Sequence, residues 1–181
     1  MKRLFYIAIF IPLFSFCQNK KKPSEGINWI SFTEAVKLND SGVKKKLLID
    51  VYTDWCGWCK KMDASTYENP KVIEYINKNF YAVKLDAEMT DSVVFQNHVF
   101  KKTDPNKKSA PHELAVALLN GKMGYPSTVF LDEKYNMLSP VQGYLTVENI
   151  EMYMRYFVEE DYAQIKWEQF QEKFVSKFNQ N

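Results

Sequence analysis

The sequence predicts an α/β fold in which helices flank a central β-sheet. Three observations carry that prediction. Lys46 to Tyr52 is a near-continuous apolar run with β-branched residues, and it suits a strand buried on both faces, with Asp50 as the one anomaly. A helical stretch and a second strand, Phe80 to Leu85, follow it. Strand, helix, strand in this order is a βαβ unit with parallel strands. Farther on, Ser127 to Leu131 and Met137 to Val141 bracket a turn at Asp132 to Asn136 and read as partner strands.

The other elements follow from local signals. Ser31-Phe32-Thr33-Glu34 has capping-box spacing. Ala35, Val36 and Leu38 continue it as a short helix, which Asn39-Asp40-Ser41-Gly42 breaks. After the first long strand a helix is expected from Cys56 to about Tyr67. Asn69-Pro70 restarts helical structure, with Asn69 as N-cap and Pro70 at the first position; Val72, Ile73 and Ile76 supply its apolar face. Between Thr90 and Pro111, Val93, Val94 and Phe100 suggest a short helix, and Lys101 to Ser109 reads as a polar, basic loop. Glu113 to Leu119 is helical, ended by Gly121 and Gly124. Thr146 caps a helix running to about Glu160. Trp167, Phe170, Phe174 and Phe178 recur at spacings of 3, 4 and 4, one face of a helix docked on the domain.

The chain has 181 residues, 46% hydrophobic and 15% aromatic, enough for one domain with a proper core. Its N-terminus reads as a secretory signal. Lys2 and Arg3 form the charged start, and Leu4 to Phe16 is an apolar run too short to span a bilayer comfortably. Ser15 and Cys17 are small residues suited to a cut after Cys17. In a lipoprotein reading Cys17 is instead lipidated, although Phe16 occupies a place where such signals carry a small residue; in a third reading the segment stays as an anchor. Each reading exports the domain, to the periplasm. The chain then divides into a signal peptide (1–17), a polar linker (18–26) and one domain (27–181). That domain has a core at 45–160, an insertion at 90–112 and a C-terminal helix at 162–179. Removing Lys2 and Arg3 leaves 22 basic against 22 acidic residues. This balance argues against nucleic acid or an acidic membrane surface as the main partner.

Trp55-Cys56-Gly57-Trp58-Cys59-Lys60 is the stretch that carries chemistry. With Cys17 cleaved or lipidated, only Cys56 and Cys59 remain. A bridge between them closes four residues, worth about 2 kcal/mol on the chain-entropy model, a poor staple and a plausible redox couple. If a helix starts at Cys56, its thiol sits among unpaired backbone N–H groups at the positive end of the helix dipole, which lowers its pKa. A free thiol near pKa 8.5 is about 3% thiolate at pH 7, and one lowered to about 7 is half ionised. Thiolate is the attacking species in disulfide exchange. Lys60 and Lys61 either help that ionisation or form a solvated helix face.

Four separated features then resemble the thioredoxin family, specifically exported thioredoxin-like domains with a Cys-Gly-Trp-Cys centre. They are Trp55-Cys56-Gly57-Trp58-Cys59, Asp50 six residues before Cys56, Tyr125-Pro126 before the strand at Ser127, and Gly143 before the last core helix. The resemblance covers roughly residues 45 to 160. It implies a three-layer sandwich with a central mixed β-sheet, here with a helical insertion and a C-terminal helical extension. It implies that Cys56 is an exposed nucleophile and Cys59 the inward, resolving thiol. Asp50 is the family's buried carboxylate; unpaired, it would have a raised pKa and accept the Cys59 proton. Solvation at a strand end is its bland alternative. Tyr125-Pro126 matches the family's cis-proline loop, which places free backbone groups beside the cysteines to bind an extended segment; an ordinary trans-proline turn is the alternative. Trp55, Gly57 and Trp58 complete the expected substrate-binding surface, and Lys84 resembles a lysine that the family keeps near its carboxylate. Trp58 replaces the proline of reducing thioredoxins, so the direction of electron flow stays open.

The implied function is an exported thiol–disulfide oxidoreductase, most readily one that reduces protein disulfides. Its partners are protein thiols and disulfides, with a membrane-embedded thiol donor as electron source; no cofactor or metal is expected, and membrane contact only through a lipidated Cys17. The competing readings are a non-enzymatic, thioredoxin-like peptide-binding module and a metal site of Cys56, Cys59, His98 and His112. The histidines lie in the insertion and have no ligand spacing of their own.

Overall fold

The computed structural model describes residues 26–159 and 161–178. The signal peptide, Cys17 and nearly all of the linker lie outside the described residues. A five-stranded sheet in the order β1-β3-β2-β6-β7 forms the middle layer. β2 (Lys46–Tyr52) lies at its centre, parallel to β3 (Phe80–Asp86) and antiparallel to β6 (Ser127–Leu131). The two-residue β1 (Trp29–Ile30), which has no strand signal in the sequence, pairs parallel to β3. β7 (Met137–Gln142) closes the other side antiparallel to β6, with Pro140 opposite Val129 and a register shift between Phe130 and Leu131.

The pleat of β2 sorts its residues to two cores. Leu47, Ile49 and Val51 face a cluster shared with Phe32 and Ala35 of α1 (Phe32–Ser41) and Leu114 and Leu118 of α4 (Glu113–Leu118). Leu48 faces the opposite cluster, with Met62 of α2 (Gly57–Ala64), Val72 and Ile76 of α3 (Pro70–Asn79), and Ile150 and Met154 of α5 (Val147–Val158). The result is the expected three-layer sandwich around a mixed sheet.

The expected helix starts hold. The Ser31 side chain accepts from the Glu34 N–H, Asn69 accepts from Lys71 and Val72, and Thr146 accepts from Asn149. Three expectations are corrected. The insertion is not helical over Val93–Phe100. It forms a hairpin of β4 (Val93–Phe95) and β5 (His98–Phe100), joined by Gln96 and Asn97, which both adopt positive φ (49° and 62°). A two-residue turn with both φ positive matches the strand twist, and the β-branched residues pair across it. Nor does a helix run over 162–179. A 3-10 turn at Asp161–Ala163 precedes α6, which is only Trp167–Lys173, and Phe174 is already extended. The Glu151 carboxylate accepts from the Lys177 and Phe178 N–H groups, donors that a continuing helix would have used, and also from the Ser176 hydroxyl. Docking of the aromatic face does occur: Trp167, Phe170 and Phe178 pack on the second core cluster, and the Phe174 ring lies tilted against Phe170 at 5.7 Å. Similarly, the helix after Cys56 stops at Ala64, and a 3-10 turn over Thr66–Glu68 follows.

Candidate functional site

The C-terminal end of β2 feeds directly into the cysteine pair. Cys56 is the N-cap of α2, and its sulfur accepts the Cys59 N–H at 3.0 Å. The two cysteines are joined in a disulfide with their Cα atoms 5.3 Å apart. Cys56 is not exposed as expected: it is 5% accessible and Cys59 is 2%. In the oxidised pair the Cys56 sulfur turns in toward Cys59 and the helix N–H groups. What stands exposed is the pair of indoles beside it, Trp55 at 65% and Trp58 at 57%. Trp58 leans on Tyr144, and the Lys61 ammonium lies 4.6 Å from the Trp58 ring centroid and 5.3 Å from that of Tyr144. Lys61 is thus a cation over aromatic faces, whereas Lys60 is a solvated side chain. Gly57 needs no special backbone, since a Cβ there would meet open space.

Beneath α2, Asp50 is 1% exposed, which excludes solvation at a strand end. It is not unpaired either. Strand register sets it opposite Lys84 on one side and Thr128 on the other. The Lys84 ammonium donates to Asp50 Oδ2 at 2.6 Å and to Asp63 Oδ1 on α2. Lys84 also lies 5.1 Å from the ring centroids of Trp29 and Tyr52 and 5.4 Å from that of Tyr67. Three rings and two carboxylates therefore fix this one cation. Burial raises the Asp50 pKa and outweighs the lowering influence of Lys84. Burial alone would lower the Lys84 ammonium, but the two carboxylates hold it above its ordinary value. Asp50 Oδ1 and the Thr53, Tyr67 and Thr128 hydroxyls are buried without a hydrogen-bond partner among the described residues. Burial, with Asp50 next, pushes the Tyr67 hydroxyl well above its usual range.

The third part is the loop before β6. The Tyr125–Pro126 peptide bond is cis, and the Pro126 carbonyl accepts the Gly143 N–H at 2.8 Å. Gly143 itself takes φ 104°, which suits a residue without a Cβ. The Tyr125 N–H and C=O bond to no group among the described residues. The Tyr125 ring meets Trp55 edge to face at 5.8 Å, so this loop and the cysteine motif share one surface.

The sequence signals therefore converge for Cys56, Cys59, Asp50, Trp55 and Tyr125. Asp63, Tyr67 and Glu88 go unnoticed in the sequence. Asp63 lies four residues after Cys59 on the same helix, a spacing that offers a clue; Tyr67 and Glu88 offer none. The two histidines serve elsewhere. His98 packs against Phe100 on β5. His112 is fully buried and caps α4: Nδ1 accepts the Leu114 N–H, and Nε2 lies 3.0 Å from the Asp91 carbonyl.

A mixed sheet between helices, with a Cys-X-X-Cys disulfide capping the helix that follows its central strand, defines a thioredoxin-fold protein with a dithiol–disulfide centre. The chain belongs to the Thioredox_DsbH family, described as "Protein of unknown function, DUF255", whose model matches residues 16–180. It is similar to the thiol:disulfide interchange protein DsbD of Pectobacterium atrosepticum, with 22% identity over 138 residues; the match covers 74% of this chain and only 20% of that relative. An uncharacterized protein of Archaeoglobus fulgidus is 34% identical over 59 residues, covering 33% of this chain and 46% of its own length. Among solved structures, a thioredoxin from Thermus thermophilus superposes with TM-score 0.55 at 16% identity, covering 73% of this chain and 87% of that one. A putative disulphide-isomerase from Bacteroides thetaiotaomicron gives 0.51 at 23%, covering 75% and 95%. These likenesses establish the fold. No helix among the described residues is long and apolar enough to cross a membrane.

Proposed function

We propose that the chain is an exported thiol–disulfide oxidoreductase of the periplasm that reduces protein disulfides. The observation that carries this reading is the Cys56–Cys59 disulfide at the N-terminus of α2, flanked by exposed indoles and underlain by a buried carboxylate. In the reduced protein the Cys56 thiolate attacks one sulfur of a partner disulfide. A Cys56–partner bond forms, and the partner's other sulfur leaves as thiolate. Cys59 then gives its proton to Asp50 and attacks the Cys56 sulfur. The Cys56–Cys59 bond forms as the Cys56–partner bond breaks, the second partner sulfur leaves as thiolate, and both partner thiolates take protons from water; two electrons have passed from the cysteine pair to the partner. A carboxyl with a raised pKa is the better proton acceptor for a thiol. The unbonded Tyr125 backbone groups suit an extended partner segment laid beside the disulfide, with Trp55, Gly57, Trp58 and Pro126 completing the surface. Each cycle leaves the pair oxidised, so a membrane-embedded thiol donor recharges it. Residues 1–17 act as the export signal, and Cys17, if lipidated, ties the domain to the membrane.

Equilibration with glutathione redox buffers tests the direction. A reductase places the pair nearer thioredoxin's roughly −270 mV than the −120 mV of a strong oxidant. Insulin reduction is lost in Cys56→Ser, and Cys59→Ser accumulates a mixed disulfide visible as added mass. A pair that neither titrates nor exchanges would overturn the reading.

A further inference from the structure

A cavity of about 390 Å³ opens between Trp55 and Tyr125, walled also by Met123 and Glu88 and by Ser109 and Pro111 of the insertion. Two of those walls adjoin the reaction: Trp55 precedes Cys56, and Tyr125 precedes Pro126. The insertion is pinned in place to form the others. The His112 N–H donates to the Ala87 carbonyl at 2.6 Å. The Lys102 ammonium donates to the carbonyls of Glu88 at 2.9 Å and Lys108 at 2.7 Å. The Thr103 N–H and hydroxyl both donate to the Pro111 carbonyl.

We propose that this cavity is a specificity pocket for an arginine or lysine of the partner, one or two residues from its reacting cysteine. The inference rests on the oxidoreductase reading and names its substrate class. The walls are apolar along their length, with two aromatic rings, a methionine and a proline, as the aliphatic stem of a long basic side chain requires. The charge at the wall is negative. Glu88 Oε1 accepts the Trp55 indole N–H at 2.9 Å, and no lysine or arginine among the described residues forms an ion pair with Glu88. Asp86 and Asp54 lie on the same side: beyond burial, Asp54 and Glu88 help to raise the Asp86 pKa, and after burial Glu88 and Asp86 raise that of Tyr125. Lys102 is the cation bonded beside Glu88, and two backbone carbonyls already hold it; Lys101, Lys107 and Lys108 of the same insertion are exposed to solvent. A guanidinium or ammonium entering here meets a carboxylate end on and the exposed Trp55 face alongside. A segment extended along Tyr125 advances about 3.3 Å per residue, which brings side chains one or two positions from its cysteine to the cavity.

The test uses the reduced full chain and short peptides whose single cysteine carries a nitrothiobenzoate leaving group. The peptides differ only in having Arg, Ala or Glu one or two positions to either side of that cysteine. Attack by Cys56 releases the coloured thiolate, and Cys59 then releases the peptide thiol. At one position the Arg peptide should react about fivefold faster than the Glu peptide at low salt, with the ratio shrinking as salt rises. Glu88→Gln keeps the acceptor for Trp55 and removes the charge, so the ratio should fall toward one. The same charge change at the exposed Glu148 should leave it at the wild-type value. Equal rates for the three peptides, or a ratio unmoved by Glu88→Gln, would overturn the pocket while leaving the exchange reaction standing. Failure to release thiolate even from the symmetric nitrothiobenzoate disulfide would overturn both.

Discussion

Asp50 shows how much one register position can determine. It belongs to an otherwise apolar strand because the pairing sets it opposite Lys84 and under α2. Its folded pKa is raised, so the folded chain keeps this proton to a higher pH than the unfolded chain does. Unfolding therefore releases a proton in that window, and stability falls as pH rises above the ordinary carboxyl value of 3.8 toward the folded pKa. Asp50→Asn should then raise the urea midpoint at pH 8 and leave it nearly unchanged at pH 3, where Asp50 is protonated in the folded and the unfolded chain alike. In the same variant, resolution of the mixed disulfide should slow by about 10²-fold, read as accumulation of the intermediate at pH 7. A midpoint that rises equally at both pH values would contradict this account. Cys56 and Cys59 are legible from their local spacing, and Asp50 from its place as the one polar residue of an apolar strand, with its role implied by the family resemblance. The Asp63–Lys84 bond and the rings of Trp29 and Tyr67 join four separate elements, which no window of sequence brings together.

At the level of elements, the capped helices were readable from their first residues, and the insertion was not. Val93, Val94 and Phe100 fit a helical face only loosely; the deciding signal was Gln96-Asn97 between two short β-branched runs. Asn tolerates left-handed φ far better than a β-branched residue does. Asn97→Val should cost about 1–2 kcal/mol in thermal unfolding, and Asn97→Gly should be close to neutral. An unchanged melting temperature for Asn97→Val would mean that the turn does not hold its positive φ. The truncated α6 was hidden for a different reason. The aromatic spacing continues through Phe178, but the side chain that ends the helix, Glu151, lies on α5 and competes for the backbone donors.

Across the whole molecule, Glu151 fastens the C-terminal segment to the domain. Burial works against its charge, yet hydrogen bonds from Ser176, Arg155, Lys177 and Phe178 prevail and hold its pKa below the usual carboxylate range. A depressed folded pKa gives stability that is present above the ordinary value and is lost as the solution is acidified through the folded one. Glu151→Gln should cost about 2 kcal/mol at pH 7 and speed amide exchange at Lys177 and Phe178. Unaltered exchange there would show that the aromatic packing alone holds the segment. The outer strands have a further consequence. On the proposed reading, in which a partner segment pairs with the Tyr125 backbone, an open margin of the five-stranded sheet would be a second place for partners, or for copies of the chain, to pair. One margin here is only two residues long, and the other carries Pro140, which has no N–H to offer, beside a register break. Both margins are thereby blunted against edge-to-edge aggregation, and the unbonded Tyr125 backbone remains a place where an incoming chain can pair and leave again.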